Sequence, residues 1–278
     1  LKKRLFSSPA AFTTTLEKHA RSLGTQSGDS KSNGWRRQVE EADDEYANDE
    51  EYEETSLEAL ETASHHVAPL EAEEKNLLLE LRKYTQNAPS CADSKARTLI
   101  RWLKTNLKPD GAWSYRRVII FTEYRATQKW LHDLLAAEGL AGNDRLMTIY
   151  GGMKPDDRET IKAAFQADPA DSPVRILLAT DAASEGINLQ NHCWQLIHYE
   201  IPWNPNRMEQ RNGRVDRHGQ KNPEVHVYHF VGAGFDHTRP GQAPGELEGD
   251  LEFLLRAVLK VETIREDLGK VGPVIASQ

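Results

Sequence analysis

Cysteine is nearly absent from this 278-residue chain: only Cys91 and Cys193 occur, with no Cys-x-x-Cys pair. That excludes a disulfide framework and leaves no structural zinc motif. Histidine offers no metal set either. His65-His66 sits in an acidic tract without a third ligand, and His198-Tyr199-Glu200 alternates along a strand, so no metal site is predicted. No apolar run approaches the ~20 residues that would cross a bilayer, and no signal peptide precedes the chain, so no membrane partner is expected. The chain starts at Leu1 rather than Met. Together with the cysteine usage, this predicts a piece of a longer protein in a reducing, cytoplasmic setting.

What is present is unevenly distributed. Hydrophobic residues make up 38% of the chain, enough for one ordinary core, but the mean hydropathy of -0.67 says that part of the chain is not core. Residues 1–39 carry eight Lys or Arg against two acids, whereas residues 40–80 carry one basic residue against sixteen acids. The remaining 198 residues carry 26 basic and 25 acidic side chains. The net charge of -8 therefore belongs to one segment and does not exclude a nucleic-acid partner for the rest. Ten of the fifteen residues Glu40–Glu54 are acidic; such a stretch repels itself and buries little, which predicts disorder or a solvated helix over about 40–62.

Periodicity divides the chain into three parts. Residues 1–93 read as a helical lead-in interrupted by the acidic tract, with a helix beginning near Glu71. Residues 94–232 read as one α/β domain. A helix over Ser94–Leu107 presents Leu99, Ile100, Trp102 and Leu103 as its apolar stripe. Val118-Ile119-Ile120-Phe121 has the continuous apolar character of a buried parallel strand. Helices near 126–138, 155–166 and 205–217 alternate with strands near 146–150, 174–179, 195–200 and 225–231. This rhythm predicts a parallel sheet with helices on both faces. Residues 233–278 read as a Gly/Pro-rich loop and a closing amphipathic helix over about 247–268.

Three blocks carry chemistry. In Gln210-Arg211-Asn212-Gly213-Arg214-Val215-Asp216-Arg217, helical spacing would place Gln210, Arg214 and Arg217 on one face. Two guanidiniums so placed need an anion or carboxylates between them, and a triphosphate suits their planar, bidentate donors. The plainer alternative pairs them with Glu209 and Asp216. The second block, Ile176 to Gln190, is a strand opening into a small-residue turn. Thr180 and Asp181 would sit at its carboxyl end, where ligands of open α/β sheets gather. Gly186 would allow close backbone approach and Asn188 could bond a sugar hydroxyl. The third block joins Phe121-Thr122-Glu123-Tyr124 to Tyr150-Gly151-Gly152-Met153, again at strand ends, where Thr122 and the glycine amides could line a phosphate track.

In their order, these blocks resemble motifs IV, IVa, V and VI of superfamily-two helicases. The form Ser184-Glu185-Gly186-Ile187-Asn188-Leu189, with Pro202-Trp203-Asn204-Pro205, is similar to the Swi/Snf-like branch, in particular RapA/HepA-like proteins and the large helicase of DISARM phage defence. The resemblance covers about residues 95–232. It implies a RecA-like fold and the C-terminal motor lobe of an ATP-dependent DNA translocase. It also implies that Arg214 and Arg217 are arginine fingers and that Gln210, Glu185, Gly186 and Asn188 complete the ATP side. Thr122, Gly151, Gly152 and Thr180 would then touch the DNA backbone. An RNA helicase lobe and a catalytically inert protein-interaction module are the alternatives.

One absence then matters. No Gly-x-x-x-x-Gly-Lys-Ser/Thr occurs; the one Gly-Lys pair, Gly269-Lys270, is followed by Val271. Asp43-Asp44-Glu45-Tyr46 follows Val39-Glu40-Glu41 rather than an apolar strand, so it is no metal-binding acidic box. ATP and Mg²⁺ would be held mostly by an upstream RecA-like lobe, the principal expected partner, and this chain alone would not hydrolyse ATP.

Overall fold

The computed structural model describes residues 2–22, 70–181, 187–202 and 204–232, with Thr55, Arg256 and Leu259. The acidic tract at 40–62 and the helix expected at 247–268 lie outside the described residues, apart from those isolated positions.

The apolar runs read from the sequence are strands: β1 Val118–Thr122, β2 Leu146–Ile149, β3 Ile176–Thr180, β4 Gln195–His198 and β5 His226–His229. They form one sheet in the order β2-β3-β1-β4-β5, with every neighbouring pair parallel. β1 and β3 are buried along their whole length. Successive side chains of a strand point to opposite faces, so each strand feeds two cores. Val118, Ile120, Ile176, Leu178 and Ile197 face one, and Ile119, Phe121, Leu177, Ala179 and Leu196 the other.

Helices cover both faces, as the RecA-like resemblance implies. The lead-in comprises α1 (Lys2–Ser7), α2 (Pro9–Ser22) and α3 (Ala72–Asn87). α4 (Ser94–Leu107) starts where Asp93 accepts a hydrogen bond from the Ala96 amide, a side-chain N-cap. Its Leu99, Ile100, Leu103 and Leu107 pack on the first core beside Trp130, Leu131 and Leu135 of α5 (Arg125–Ala137). Burial of each such side chain is worth about 1.5–3 kcal/mol. α6 (Pro155–Gln166), with Pro155 in its first turn, sends Phe165 into the second core.

The helix α7 (Pro205–Asn212) is shorter than its spacing suggests. It stops at Gly213 instead of continuing to Arg217. Two forces act there. Glycine is a poor helix former, and Val215, fully buried against Ile187, Leu189 and Cys193, pulls the chain inward. Turn bonds from Gly213 N to Glu209 O and from Asp216 N to Asn212 O close the helix. Gln210, Arg214 and Arg217 therefore do not share a helical face: Gln210 lies on α7, and the two arginines lie in the turn after it.

Candidate functional site

Because all five strands run the same way, their carboxyl ends form one rim. Register aligns that rim closely. Thr122 pairs with Thr180, and Phe121 with His198. The next acid along each strand end is Glu123, Asp181 and Glu200, so three carboxylates line up across the adjacent strands β3, β1 and β4.

Cations from three other elements meet them. Arg211 of α7 is fully buried and reaches Asp181 through Nε at 2.5 Å and Nη2 at 2.7 Å. Burial alone would lower its pKa, but the charge and hydrogen bonds of Asp181, with Glu200 and Glu123, raise it above the usual arginine value. Its Nη1 donates to the Glu200 carbonyl at 3.1 Å. Arg207, also on α7, lies 3.9 Å from both Glu123 and Asp181. Lys3 of α1 pairs with Glu123 at 2.6 Å. Lys95 of α4 donates to the carbonyls of Phe6 and Ser7 at 2.5 and 2.7 Å, closing the carboxyl end of α1. Burial pushes the Lys95 ammonium down to about 8, against the pull of Glu200 and Asp93. Glu200 is itself raised by burial, an effect opposed by Lys95, by the Ser7 hydroxyl that donates to it and by Arg211, and reinforced by Glu123. Arg4 stacks over Tyr124 at 4.3 Å. The lead-in thus docks on the β1–β4 half of the rim.

His198 ties that half to α7. Its Nε2 lies 2.9 Å from Asn212 Oδ1 and so donates; its Nδ1 accepts from Arg211 Nη1 at 3.3 Å. The ring stacks on His229 at 4.7 Å. Burial, Arg211 and His229 hold His198 well below the usual histidine pKa, so it is neutral. Among the described residues, no group of three His, Cys, Asp or Glu side chains is placed to hold a metal ion.

The residues singled out from sequence fall in two places. Asn188 and Arg217 are brought together, the guanidinium donating to the Asn188 side-chain oxygen. The Leu189 amide donates to the Arg214 carbonyl at 3.1 Å. Arg217 is exposed, and its partner is this amide rather than Glu209 or Asp216; Arg214 is half-buried. Gln210 is exposed on α7. Glu185 and Gly186 lie outside the described residues. Thr122, Thr180, Gly151 and Gly152 all lie at the rim. Gly152 is exposed with a φ of 82°, Gly151 is buried, and both threonines are fully buried. The Thr122 hydroxyl has no hydrogen-bond partner.

Sequence reasoning missed the roles of Arg211, Arg207, Glu123 and Glu200. The signal was available: Phe-Thr-Glu123, Ala-Thr-Asp181 and His-Tyr-Glu200 each place an acid just past an apolar run.

The geometry and the sequence meet in one class. Residues 98–219 match the family described as the helicase conserved C-terminal domain. An uncharacterised ATP-dependent helicase of Bacillus subtilis, YqhH, is 42% identical over 115 residues, 41% of this chain and 19% of that protein. The RNA polymerase-associated protein RapA of Photobacterium profundum is 33% identical over 135 residues, 48% of this chain and 13% of that protein. The matches span less than a fifth of these relatives' own lengths. A crystal structure of the C-terminal part of the Fun30 ATPase domain superposes with a TM-score of 0.42 at 17% identity, covering 79% of this chain and 78% of that one.

Proposed function

We propose that this chain is the C-terminal motor lobe of an ATP-dependent, Swi/Snf-like translocase acting on duplex DNA. The observation that carries this reading is the state of Arg217. It is exposed, and an amide rather than a carboxylate holds it, so its full charge remains available to an anion. An arginine so poised suits the γ-phosphate of ATP bound on an upstream lobe. Arginine fingers of this kind are worth about 10³–10⁵ in rate. Arg214 is the second finger; Gln210, Glu185, Gly186 and Asn188 complete the nucleotide side.

The carboxylates at the rim of this lobe are already neutralised by Arg211, Arg207, Lys3 and Lys95, and the described residues offer no donor set for Mg²⁺. Its ligands belong on the upstream lobe, where the metal would screen the phosphate charge. The chain alone is then inactive as an ATPase.

The β2–β3 half of the rim is the DNA track. Gly151 and Gly152 offer backbone amides to phosphates, while Thr122 and Thr180 lie beneath and meet phosphate only when the rim opens during the cycle. Binding through phosphates is sequence-tolerant and salt-sensitive. By analogy with RapA, named as RNA polymerase-associated, the motor works beside a bacterial protein partner; a cytoplasmic setting and a phage-defence role are proposed from the sequence resemblance alone.

The test is ATP turnover by the full-length protein with and without duplex DNA, beside its Arg217→Ala variant and this chain alone. DNA stimulation seen only in the unaltered full-length protein supports the reading. Turnover by this chain alone, or an Arg217→Ala variant as active as the parent, overturns it. Stimulation by RNA but not DNA moves the assignment to an RNA helicase lobe.

A further inference from the structure

Arg125 opens α5 three residues after Thr122, at the carboxyl end of β1. Its guanidinium carbon lies 3.5 Å from the centroid of the Tyr150 ring, so the planar cation lies against the aromatic residue that precedes Gly151 and Gly152. Its Nη1 donates to Gln128 Oε1. Gln128 is itself immobilised: its Nε2 donates to the carbonyls of Ile149 and Leu178, both at 2.9 Å, which ties it to the end of β2 and the middle of β3. Two neutral supports thus fix the plane and direction of the guanidinium. Among the described residues no carboxylate pairs with it, and its buried Nε has no hydrogen-bond partner.

This arrangement differs from that of the carboxylate-paired arginines at the rim. Arg211 and Arg207 face Asp181, and Arg207 also faces Glu123. Arg125 carries an oriented, half-exposed positive charge with unused donors. The terminal nitrogens of the half-exposed guanidinium are the donors an anion would reach. A phosphodiester offers a negative charge and two free oxygens, and arginine meets such a group with paired donors. The orphaned Thr122 hydroxyl lies at the same strand end. Among the described residues, the lead-in's ion pair and carboxylate contact at the rim, Lys3 with Glu123 and Ser7 with Glu200, fall on the β1–β4 half.

We infer that Arg125, held flat on Tyr150, is a phosphate-binding residue for the backbone of duplex DNA on the β2–β3 half of the rim. This inference rests on the DNA-translocase reading above.

The test is binding of a fluorescent duplex by the full-length protein across a salt series, together with its ATP dependence. One phosphate contact contributes about 0.9 to the slope of log affinity against log salt. Arg125→Gln should lower the slope by about one, weaken low-salt binding roughly tenfold for duplexes of any sequence, and leave KM for ATP unchanged. Arg125→Lys, which keeps the charge but loses the stacked plane, should keep the slope and lose part of the affinity. It also serves if the glutamine variant fails to fold. Arg116→Gln, exposed at the opposite end of β1, should change nothing. An unchanged slope in Arg125→Gln overturns the inference and makes the residue a brace. A raised KM for ATP with the slope intact also overturns it, because the anion is then the nucleotide. A change seen with duplex RNA alone overturns the commitment to DNA. If the unaltered protein binds no nucleic acid at any salt, the translocase reading itself fails, and this inference with it.

Discussion

Arg211 and Asp181, thirty residues apart, form a two-pronged ion pair at 2.5 and 2.7 Å in which the guanidinium is fully buried. The pair joins the residue that follows β3 to α7, and therefore fixes where Arg214 and Arg217 emerge. Removing one member leaves the other charge buried and alone, which is far costlier than removing both. Arg211→Met should lower stability by about 3 kcal/mol, tempered because Asp181 is partly exposed. Arg211→Met with Asp181→Leu should cost clearly less than the two single changes added together. Urea unfolding of the four forms measures this directly. Additive losses would mean that the two side chains are not energetically coupled.

How much of this was legible in the sequence depended on the range of the forces involved. α4 and α6 take the limits that their apolar stripes, Asp93 cap and first-turn Pro155 dictate, because those signals act within a turn of helix. β1 follows from a continuous apolar run. The end of α7 did not follow from spacing: it depends on Val215 finding Ile187 and Leu189, more than twenty residues earlier. Burial of Arg211 and of the threonines was equally hidden. A charged residue is expected outside unless a distant partner brings it in, and Asp181 does so only once β3 and α7 are packed. Docking of the lead-in rests on Ser7 and Ser8 meeting Thr127, some 120 residues away, contacts that no local pattern encodes.

His198 makes the β4–α7 junction sensitive to acid. In the unfolded chain it takes a proton near pH 6.5; in the folded chain burial and the Arg211 guanidinium keep it neutral to well below that value. His229, stacked on it, is pulled down to about 4 by burial and by Arg211. Protons therefore bind the unfolded state first as pH falls below 6.5. Stability should be level from about pH 7 to 7.5 and fall between about 6.5 and 4, with a slope of up to about 1.4 kcal/mol per pH unit for one buried histidine. A melting series from pH 7.5 to 4.5 checks this. His198→Gln should flatten the profile over that window, and an unchanged profile would assign the acid sensitivity to other groups.

Lys95 is the hinge pin between the lead-in and the domain. Its ammonium caps the end of α1 and supplies charge to Glu200. Lys95→Met keeps the bulk but leaves two carbonyls without their donor and takes a nearby positive charge from the buried Glu200. Hydrogen bonds to charged groups are worth about 1.5–3 kcal/mol each, so residues 2–22 should open roughly tenfold or more often than in the parent. Amide hydrogen exchange resolves this, because protection should fall in the lead-in while β1 and β3 stay protected. Equal loss in both regions would mean that Lys95 holds the whole fold rather than the dock.

Arg117 performs the corresponding task at the opposite, amino end of the sheet, and separates stability from function. It is fully buried, yet it is spent on carbonyls rather than on acids. Nε donates to Val174 at 3.0 Å, and Nη1 to Ala167 at 2.6 Å and to Phe165. Burial and the nearby Arg175 lower its pKa to about 10, so it remains charged at neutral pH. Two effects oppose each other on substitution. Arg117→Met relieves the cost of a buried charge, but it strands three carbonyls where α6 ends and β3 begins. With each unsatisfied group costing about 1–3 kcal/mol, the carbonyls should win, for a net loss of about 2–3 kcal/mol. Chemical denaturation gives the number. Because Arg117 lies at the far end of β1 from Arg125, the salt slope of DNA binding should be the same in the folded variant as in the parent. A changed slope would mean that packing at the amino end reaches the rim, and that the two ends of the sheet are not independent.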